Sequence, residues 1–591
     1  MASSAETGAC GDNLLAWQAR MVPLMYDAAF HHNLQWPTQA CRWGERLETG
    51  QGQDRYRVFY SEQTDGTEPP KLASASVDVL KPGVCSADVV AAWQEHGQCA
   101  YLRPDKVVFH PGEVSKLREL PQSPNLVITH TDSPDLMVWD MLRQRNRARD
   151  KAAARNVPSV PELKLTGHTE DALFPLATTT AGPMVASGGG DYMVLVWDLQ
   201  DSMETVLSCG GSSPSSSSGS RPKPAPELEA RIRLSGHTCT VEDVVFCPGS
   251  TTQLVSVGDD QMVAFWDTRA SDAPTSTISD AHGRNQDIQC VDWEATSGHM
   301  LATGAMDGSL RVWDVRRMGA PEDCLTSFSG QHAGGIIRLE WHPQVSGVLA
   351  SGGEDRLVNV WRAGAGLQQG AALLFQHTGH HRGKVIDFQW CPGEGEAAPW
   401  TMLSASDDSV DEEIGGGSLQ VWRMSPLIHL SEEKALARLE PHRGFITNGS
   451  GIPPSLAPLP KPEPRPEPEP EPSEDGAPDG DFMGDADKPD AISTGTGAGV
   501  GSGSGGATGT PARSVAAGGG AAQRSAGGGA RTERLAVARC AGPPRAGRGA
   551  GRDGDMSMPP AADDEVGEDE EEEGEGEGGD DDEDTDSMQE P

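Results

Sequence analysis

Gly236-His-Thr-Cys-Thr-Val-Glu-Asp-Val-Val-Phe246, followed by Gln253-Leu-Val-Ser-Val-Gly-Asp-Asp260 and Val263-Ala-Phe-Trp-Asp267, is the stretch from which the rest of the chain can be read. Short β-branched runs alternate with Gly/Asp turns, and the last run ends in Trp-Asp, as in one small antiparallel sheet. The frame recurs. His237 stands 29 positions before Trp266, and the same 29 separates His110 from Trp139, His168 from Trp197 and His332 from Trp361. The interval is 31 for His282 and Trp313, and 41 for His381 and Trp422, where an Asp/Glu/Gly-rich insertion at 407–417 takes up the excess. Ten positions before the tryptophan sit Thr129, Ser187, Ser256, Thr303 and Ser351; six before it sit Asp191, Asp260, Asp307 and Asp355.

One four-stranded sheet cannot bury both of its faces, so such units pack radially into a propeller. Six units carry the Trp. The strand-like segment Cys41–Leu80 is expected to complete a seventh blade with the C-terminal strands. The expected fold is all-β: a seven-bladed β-propeller over 35–430, an α-helix over 14–34, a disordered Ser/Gly/Pro insertion at about 200–230, and a disordered low-complexity tail over 441–591. After Phe445 the only Phe, Tyr or Trp is Phe482, too little to form a core.

The net charge is −41; 18 acids lie between Asp563 and Glu590, which leaves −23 upstream. That balance argues for basic protein partners and against non-specific or sequence-specific nucleic-acid binding. The 11 cysteines include no C-x-x-C pair, which reads as reduced thiols and not as a disulfide framework or a zinc site. No signal peptide or 18-residue apolar run is found, so no membrane association is expected. Arg143 to Arg155 reads as a solvated loop or as a nuclear import signal. The acidic tail, from 563, either shields basic partner surfaces or solubilises the chain.

Gly167-His168 with Trp197-Asp198, Gly236-His237 with Trp266-Asp267, and Trp313-Asp314 are WD-repeat signatures. The opening Trp17…Pro23-Leu-Met-Tyr26-Asp27…His32-Asn-Leu-Gln-Trp36-Pro37 resembles the start of the retinoblastoma-binding/MSI family of histone-binding proteins. So do His110-Pro-Gly-Glu-Val114, Val241-Glu-Asp-Val244 and Phe375-Gln-His-Thr-Gly-His380. Thr129-His-Thr-Asp-Ser-Pro-Asp135 and Gly415-Gly-Gly-Ser-Leu-Gln-Val-Trp-Arg-Met424 are similar to its plant FVE-type branch. The resemblance covers roughly the first 430 residues. It implies a nuclear histone-binding scaffold in histone deacetylase, Polycomb or chromatin-assembly complexes, acting in transcriptional repression. Its partners would be core histones and components of those complexes.

Ser, His and Asp recur together (Ser187/His168/Asp191, Ser351/His332/Asp355), but a catalytic triad is needed once and a brace is needed in every blade. Without a Walker loop, H-E-x-x-H or Cys/His cluster, no catalytic residue, metal or cofactor is expected. Glu113, Asp171, Glu242 and Asp287 lie two to five residues past a repeat histidine, where the innermost strand begins. They should ring one mouth of the channel and take Arg or Lys of an extended peptide. The resemblance places the histone tail and basic N-terminal motifs of chromatin cofactors there, with two departures: Gly335 where the family has an acid, and Leu173 where some members have an aromatic.

Leu24, Met25, Ala28 and Ala29 are expected on one face of the N-terminal helix, and Ala371-Ala-Leu-Leu-Phe375 on an apolar loop. The resemblance makes Leu24, Met25, Leu374 and Phe375 a groove for a histone helix, though Arg362 to Gly370 lacks the acids of animal relatives. Finally, Trp266-Asp-Thr-Arg269 and Trp313-Asp-Val-Arg316 are W-D-x-R motifs similar to those that dock propellers onto cullin-four ligase adaptors. Arg269 and Arg316 therefore carry the competing reading, a ligase substrate receptor.

Overall fold

The structure, a computed structural model, describes residues 21–85, 90, 99–150, 157–170, 175–203, 224–363, 373–393, 398–407 and 416–448. Its strands form seven sheets, antiparallel except for one short pairing. Blade 1 is Cys41–Thr49, Gln53–Glu62, Lys71–Leu80 and Leu102–Phe109; blade 2 is Val114–Leu120, Ser123–Thr131, Leu136–Asp140 and Leu163–Thr166. Blade 3 joins Leu176–Thr179, Gly182–Gly188 and Met193–Asp198 to Ile232–Ser235. Blades 4, 5 and 6 run from Val241 to Ile278, Ile288 to Phe328, and Ile336 to His377. The first strands of successive blades touch one another right round the ring, so they line the axis.

The seventh blade is not closed as the sequence led us to expect. Its strands Val385–Trp390, Thr401–Ser406 and Gly417–Met424 are joined by Tyr26–Leu34, while Cys41–Leu80 belongs to blade 1. Tyr26–Leu34 pairs antiparallel with the last strand from Tyr26↔Met424 to Leu34↔Gly417. The expected 14–34 helix therefore shrinks, among the described residues, to Val22–Met25, with Pro23 in its first turn. Tertiary pairing overrides the local signal: the last strand offers an open ladder edge, and 26–34 can bury both faces against it.

Two further boundaries move. Glu227–Glu229, inside the expected insertion, runs parallel to Leu163–Thr166 as a fifth strand of blade 2. Helical turns Glu432–Leu439 and Arg443–Asn448 follow the last strand, so the propeller's C-terminal appendage reaches past 441. Residues 204–223 and 449–591, and hence most of both disorder expectations, lie outside the described residues.

The repeated residues are braces. Trp266 Nε1–H donates to Ser256 Oγ (2.8 Å), which meets His237 Nε2 (2.7 Å), and His237 Nδ1 reaches Asp260 (2.9 Å). Trp361, Ser351, His332 and Asp355 repeat this in blade 6. Blade 5 substitutes Ser309 for the acid, and blade 2 uses Trp139, Thr129 and His110. Each hydroxyl that meets both rings is buried and satisfied on both sides. Burial holds the His110 imidazole neutral, pushed down to about 4. In blade 7 the bracing histidine is His380, bonded to Ser404 (2.7 Å), and not His381. Blade 3 breaks the pattern: Trp197 donates to the Thr166 carbonyl, and Ser187 to that of Gly188.

A second tryptophan series escaped the spacing search. Trp341, Trp390 and Trp43 lie in inner strands, and each indole N–H donates to a carbonyl of the preceding blade: Asp292 (3.1 Å), Glu340 (3.3 Å) and Gln389 (3.0 Å). Carboxylates stitch the same way, accepting at Asp243 from Val291 N–H, at Asp292 from Trp341 N–H and at Asp387 from Cys41 N–H. Cys41, Cys85, Cys99, Cys247, Cys290, Cys324 and Cys391 are free thiols, in line with a reduced protein; Cys239 departs from it by being disulfide-bonded.

At the seam, Arg423 donates to Asp27 Oδ2 (2.6 Å) and to the Leu80 carbonyl, with both charged side chains buried. Changing Asp27 to Ala leaves a buried guanidinium without its counter-ion, a loss of roughly 3–5 kcal/mol. Urea unfolding should show it, and Asp27→Leu with Arg423→Met should recover most of it; an unchanged midpoint for the single variant would discount the seam pair.

Candidate functional site

Blades 2 and 4 to 7 present residues to one mouth of the channel from fixed positions. One lies just before the inner strand: Glu113, Thr240, Asp287, Gly335 and Lys384. The second lies at the turn after the next strand: Asp132, Asp259, Met306, Glu354 and Asp407. A backbone bond ties the two together in four blades, Asp259 N to Thr240 O (3.1 Å), Met306 N to Asp287 O (3.1 Å), Glu354 N to Gly335 O (3.0 Å) and Asp407 N to Lys384 O (3.4 Å). The third is a bulge inside the inner strand. In blade 4 pairing skips from Val241 to Asp243, which leaves Glu242 out of the ladder.

The four expected acids thus do not share one register. Glu113 and Asp287 are equivalent, Glu242 is a bulge residue, and Asp171 lies outside the described residues. Glu242 and Asp287 do converge, and Asp259 joins them. Burial pushes the half-buried Glu242 up to about 8, with Asp259, Asp243 and Asp287 adding to the effect and Lys116 opposing it. Asp259 rises to about 6 through burial, Asp287 and Asp260. On blade 2, burial and Asp132 raise Glu113, whose N–H donates to Asp132 (3.2 Å). The sequence reading missed Asp132 and Asp259. The usable signal for Asp259 was its place one residue before the bracing Asp260.

Below the mouth the channel holds buried ions. Asp387 pairs with Arg42 (3.1 Å) and Arg338 (3.3 Å), and Arg338 also faces Glu340 (3.7 Å). The Lys116 ammonium has no hydrogen bond or ion pair among the described residues, and burial lowers it to about 8. Among those residues no group of three or more His, Cys, Asp or Glu is placed to hold a metal.

The apolar groove differs from its expected form. Ala28 and Ala29 lie on the closing strand, and Leu373–His377 is the outer strand of blade 6 and not a loop. Ala371 lies outside the described residues. Leu24 is buried, and Phe375 is a core residue, 5.2 Å from Tyr26 and stacked at 5.8 Å on Trp422. Met25 and Leu374 remain half-exposed on that core, beside a small cavity walled by Val22, Tyr26, Ala29, His377 and Trp422.

Arg269 and Arg316 occupy equivalent positions past the third strands of blades 4 and 5, at the end of the propeller away from the acids. Each guanidinium closes a two-point bond on the Asp of its own motif, Arg269 on Asp267 (2.9 and 2.6 Å) and Arg316 on Asp314 (2.8 and 2.7 Å). Both side chains stay largely exposed.

Residues 15–81 match the model of a family described as histone-binding protein RBBP4 or a component of the CAF1 complex, and 229–267, 274–314 and 322–362 match the WD domain G-beta repeat. The chain is 38% identical over 449 residues to the WD-40 repeat-containing protein MSI4 of Arabidopsis thaliana, covering 73% of this chain and 86% of that one.

A carboxyl held near 8 is mostly protonated at pH 7, and a bound cation favours its ionised form. Basic-peptide binding at the mouth should therefore release protons, and affinity should climb from pH 6 to about 8 before levelling. Calorimetry in two buffers of different ionisation enthalpy measures the release. Glu242→Gln should abolish most of it, and a pH-independent affinity in the parent would count against these carboxyls.

Proposed function

Because this chain belongs to the WD-repeat histone-binding family that includes MSI4, we propose that it is a histone-binding scaffold of chromatin complexes, with the acidic mouth as its basic-peptide site. The convergence of Glu242, Asp259 and Asp287 carries the reading: three carboxyls, two of them held back from ionising by burial, gain from an incoming Lys or Arg what water no longer supplies. Glu113 and Asp132 extend the acidic surface across blade 2. The chain acts, in this reading, in the nucleus, bridging core histones to histone deacetylase or Polycomb-type components in transcriptional repression. The flank at Met25 and Leu374 takes a histone helix.

Two sites imply two separable losses. Glu242→Lys should weaken a histone-tail peptide more than tenfold, since it sets like charge beside the incoming cation. Leu374→Asp should weaken a histone-helix peptide about a hundredfold by placing a carboxylate in an apolar contact, and spare the tail peptide. Leu374 serves here because Phe375→Asp would disrupt the core as well. Equal losses for both ligands, or neither, on calorimetry would defeat the two-site reading.

The second reading, a substrate receptor for a cullin-four ligase, is favoured by the matched, exposed Arg269 and Arg316. Arg269→Ala with Arg316→Ala should abolish co-purification of the ligase adaptor and leave histone peptides bound as before. An adaptor retained by the double variant removes this reading.

A further inference from the structure

A cleft of about 330 Å³ opens at the rim between the closing strand and the outer half of blade 1. Leu34 ends the closing strand, Glu62 ends the second strand of blade 1, and Lys71 begins its third. The alternating strand directions put all three on the same face of the propeller as the acidic mouth, but at its periphery. The cleft belongs to neither surface described above.

Its polar groups are incompletely matched. Lys71 Nζ lies 2.7 Å from Glu68 and 3.8 Å from Glu62, and its ammonium sits over the Trp36 ring, whose indole N–H reaches Glu68 (3.3 Å). Two carboxylates thus share one ammonium. Burial raises Glu62, Lys71 holds it back and Glu68 raises it further. His32 supplies a second and independent sign. It is 5% exposed, and Cys99 N–H donates to its Nδ1 (3.3 Å), which places the proton on Nε2. That N–H has no partner among the described residues, and His32 lines the cleft. The Tyr60 hydroxyl, on a residue 3% exposed in the same wall, has none among them either. A buried donor left unmatched costs more than a made bond contributes, so a wall with two such groups is built for a guest.

We propose that this cleft binds the cationic side chain of an extended basic peptide. The ammonium or guanidinium completes the Glu62–Glu68–Lys71 cluster to electrical balance, and the peptide carbonyl beside it accepts from His32 Nε2–H. Leu34, Val107 and Pro104 cover the aliphatic stem. The site stands whether or not the channel mouth binds a histone tail.

The test uses the full chain with methyl-labelled Leu and Val, titrated with N-acetyl-arginine methylamide and, separately, its lysine counterpart. Leu34 and Val107 methyl resonances should shift saturably. Glu62→Gln should weaken this about tenfold, as loss of a charge-assisted contact, and Lys71→Met should strengthen it severalfold by removing the resident cation. Glu242→Gln should leave these shifts unchanged, which separates the cleft from the mouth. The neutral N-acetyl-alanine methylamide should give no shift. Absence of saturable shifts at Leu34 and Val107 in the folded parent, or shifts indifferent to both Glu62→Gln and Lys71→Met, overturns the proposal.

Discussion

A ring of sheets is stable only if its last blade finds a last strand. In this chain that strand comes from the opposite end of the propeller, and everything else depends on the closure. Tyr26–Leu34 satisfies the ladder edge of Gly417–Met424 and buries Tyr26, Ala28, Phe30 and Leu34 in the core shared by blades 1, 6 and 7. The Asp27–Arg423 pair fixes the ends at low dielectric, where it is strong when intact and costly when halved. Both non-core groove residues sit against this seam, so the proposed helix site is a consequence of how the ring closes. The rim cleft is another, since Leu34 and His32 belong to the same strand.

The mouth depends on a different device. Inner-strand bulges recur at Val114/Lys116, Val241/Asp243, Ile288/Cys290, Ile336/Arg338 and Val385/Asp387. Each turns one residue out of the ladder, and the stitches to Asp243, Asp292 and Asp387 hold the strands together just below. Where the bulge residue is Glu242 and the neighbouring turns supply Asp259 and Asp287, burial and repulsion keep protons on the cluster. Where the same positions hold Gly335 or Lys384, blades 6 and 7 contribute no such charge, and Lys384 instead pairs with Glu354 (3.4 Å). The acidity of the mouth is therefore lopsided, strongest over blades 4 and 5.

The basic segment after Arg143 shows the value of seeing partners. Arg145 and Arg147 both pair with Asp150, and Arg143 with Asp140. Arg147 also stacks over Phe109, and its backbone N–H donates to the Val107 carbonyl, so part of the segment covers the outer edge of blade 1. Those three arginines are engaged in structure, which favours the bracing role of the loop over a free cationic signal.

The sequence by itself determined the repeat, the fold and the braces, because a His, a hydroxyl and a Trp at fixed offsets are required by local sheet geometry in most of the blades. It also determined Glu242 and Asp287 as acids at the start of inner strands. Only the tertiary structure decided which strand closes the ring, that His380 and not His381 braces blade 7, that Phe375 is core, and that Asp259 completes the carboxyl cluster. These depend on contacts between residues hundreds of positions apart, or on a one-residue register, and neither leaves a periodic trace in the chain. Pairing energy across the seam outweighs the local helical tendency of residues 26–34, and a bulge decides which side chain faces the channel.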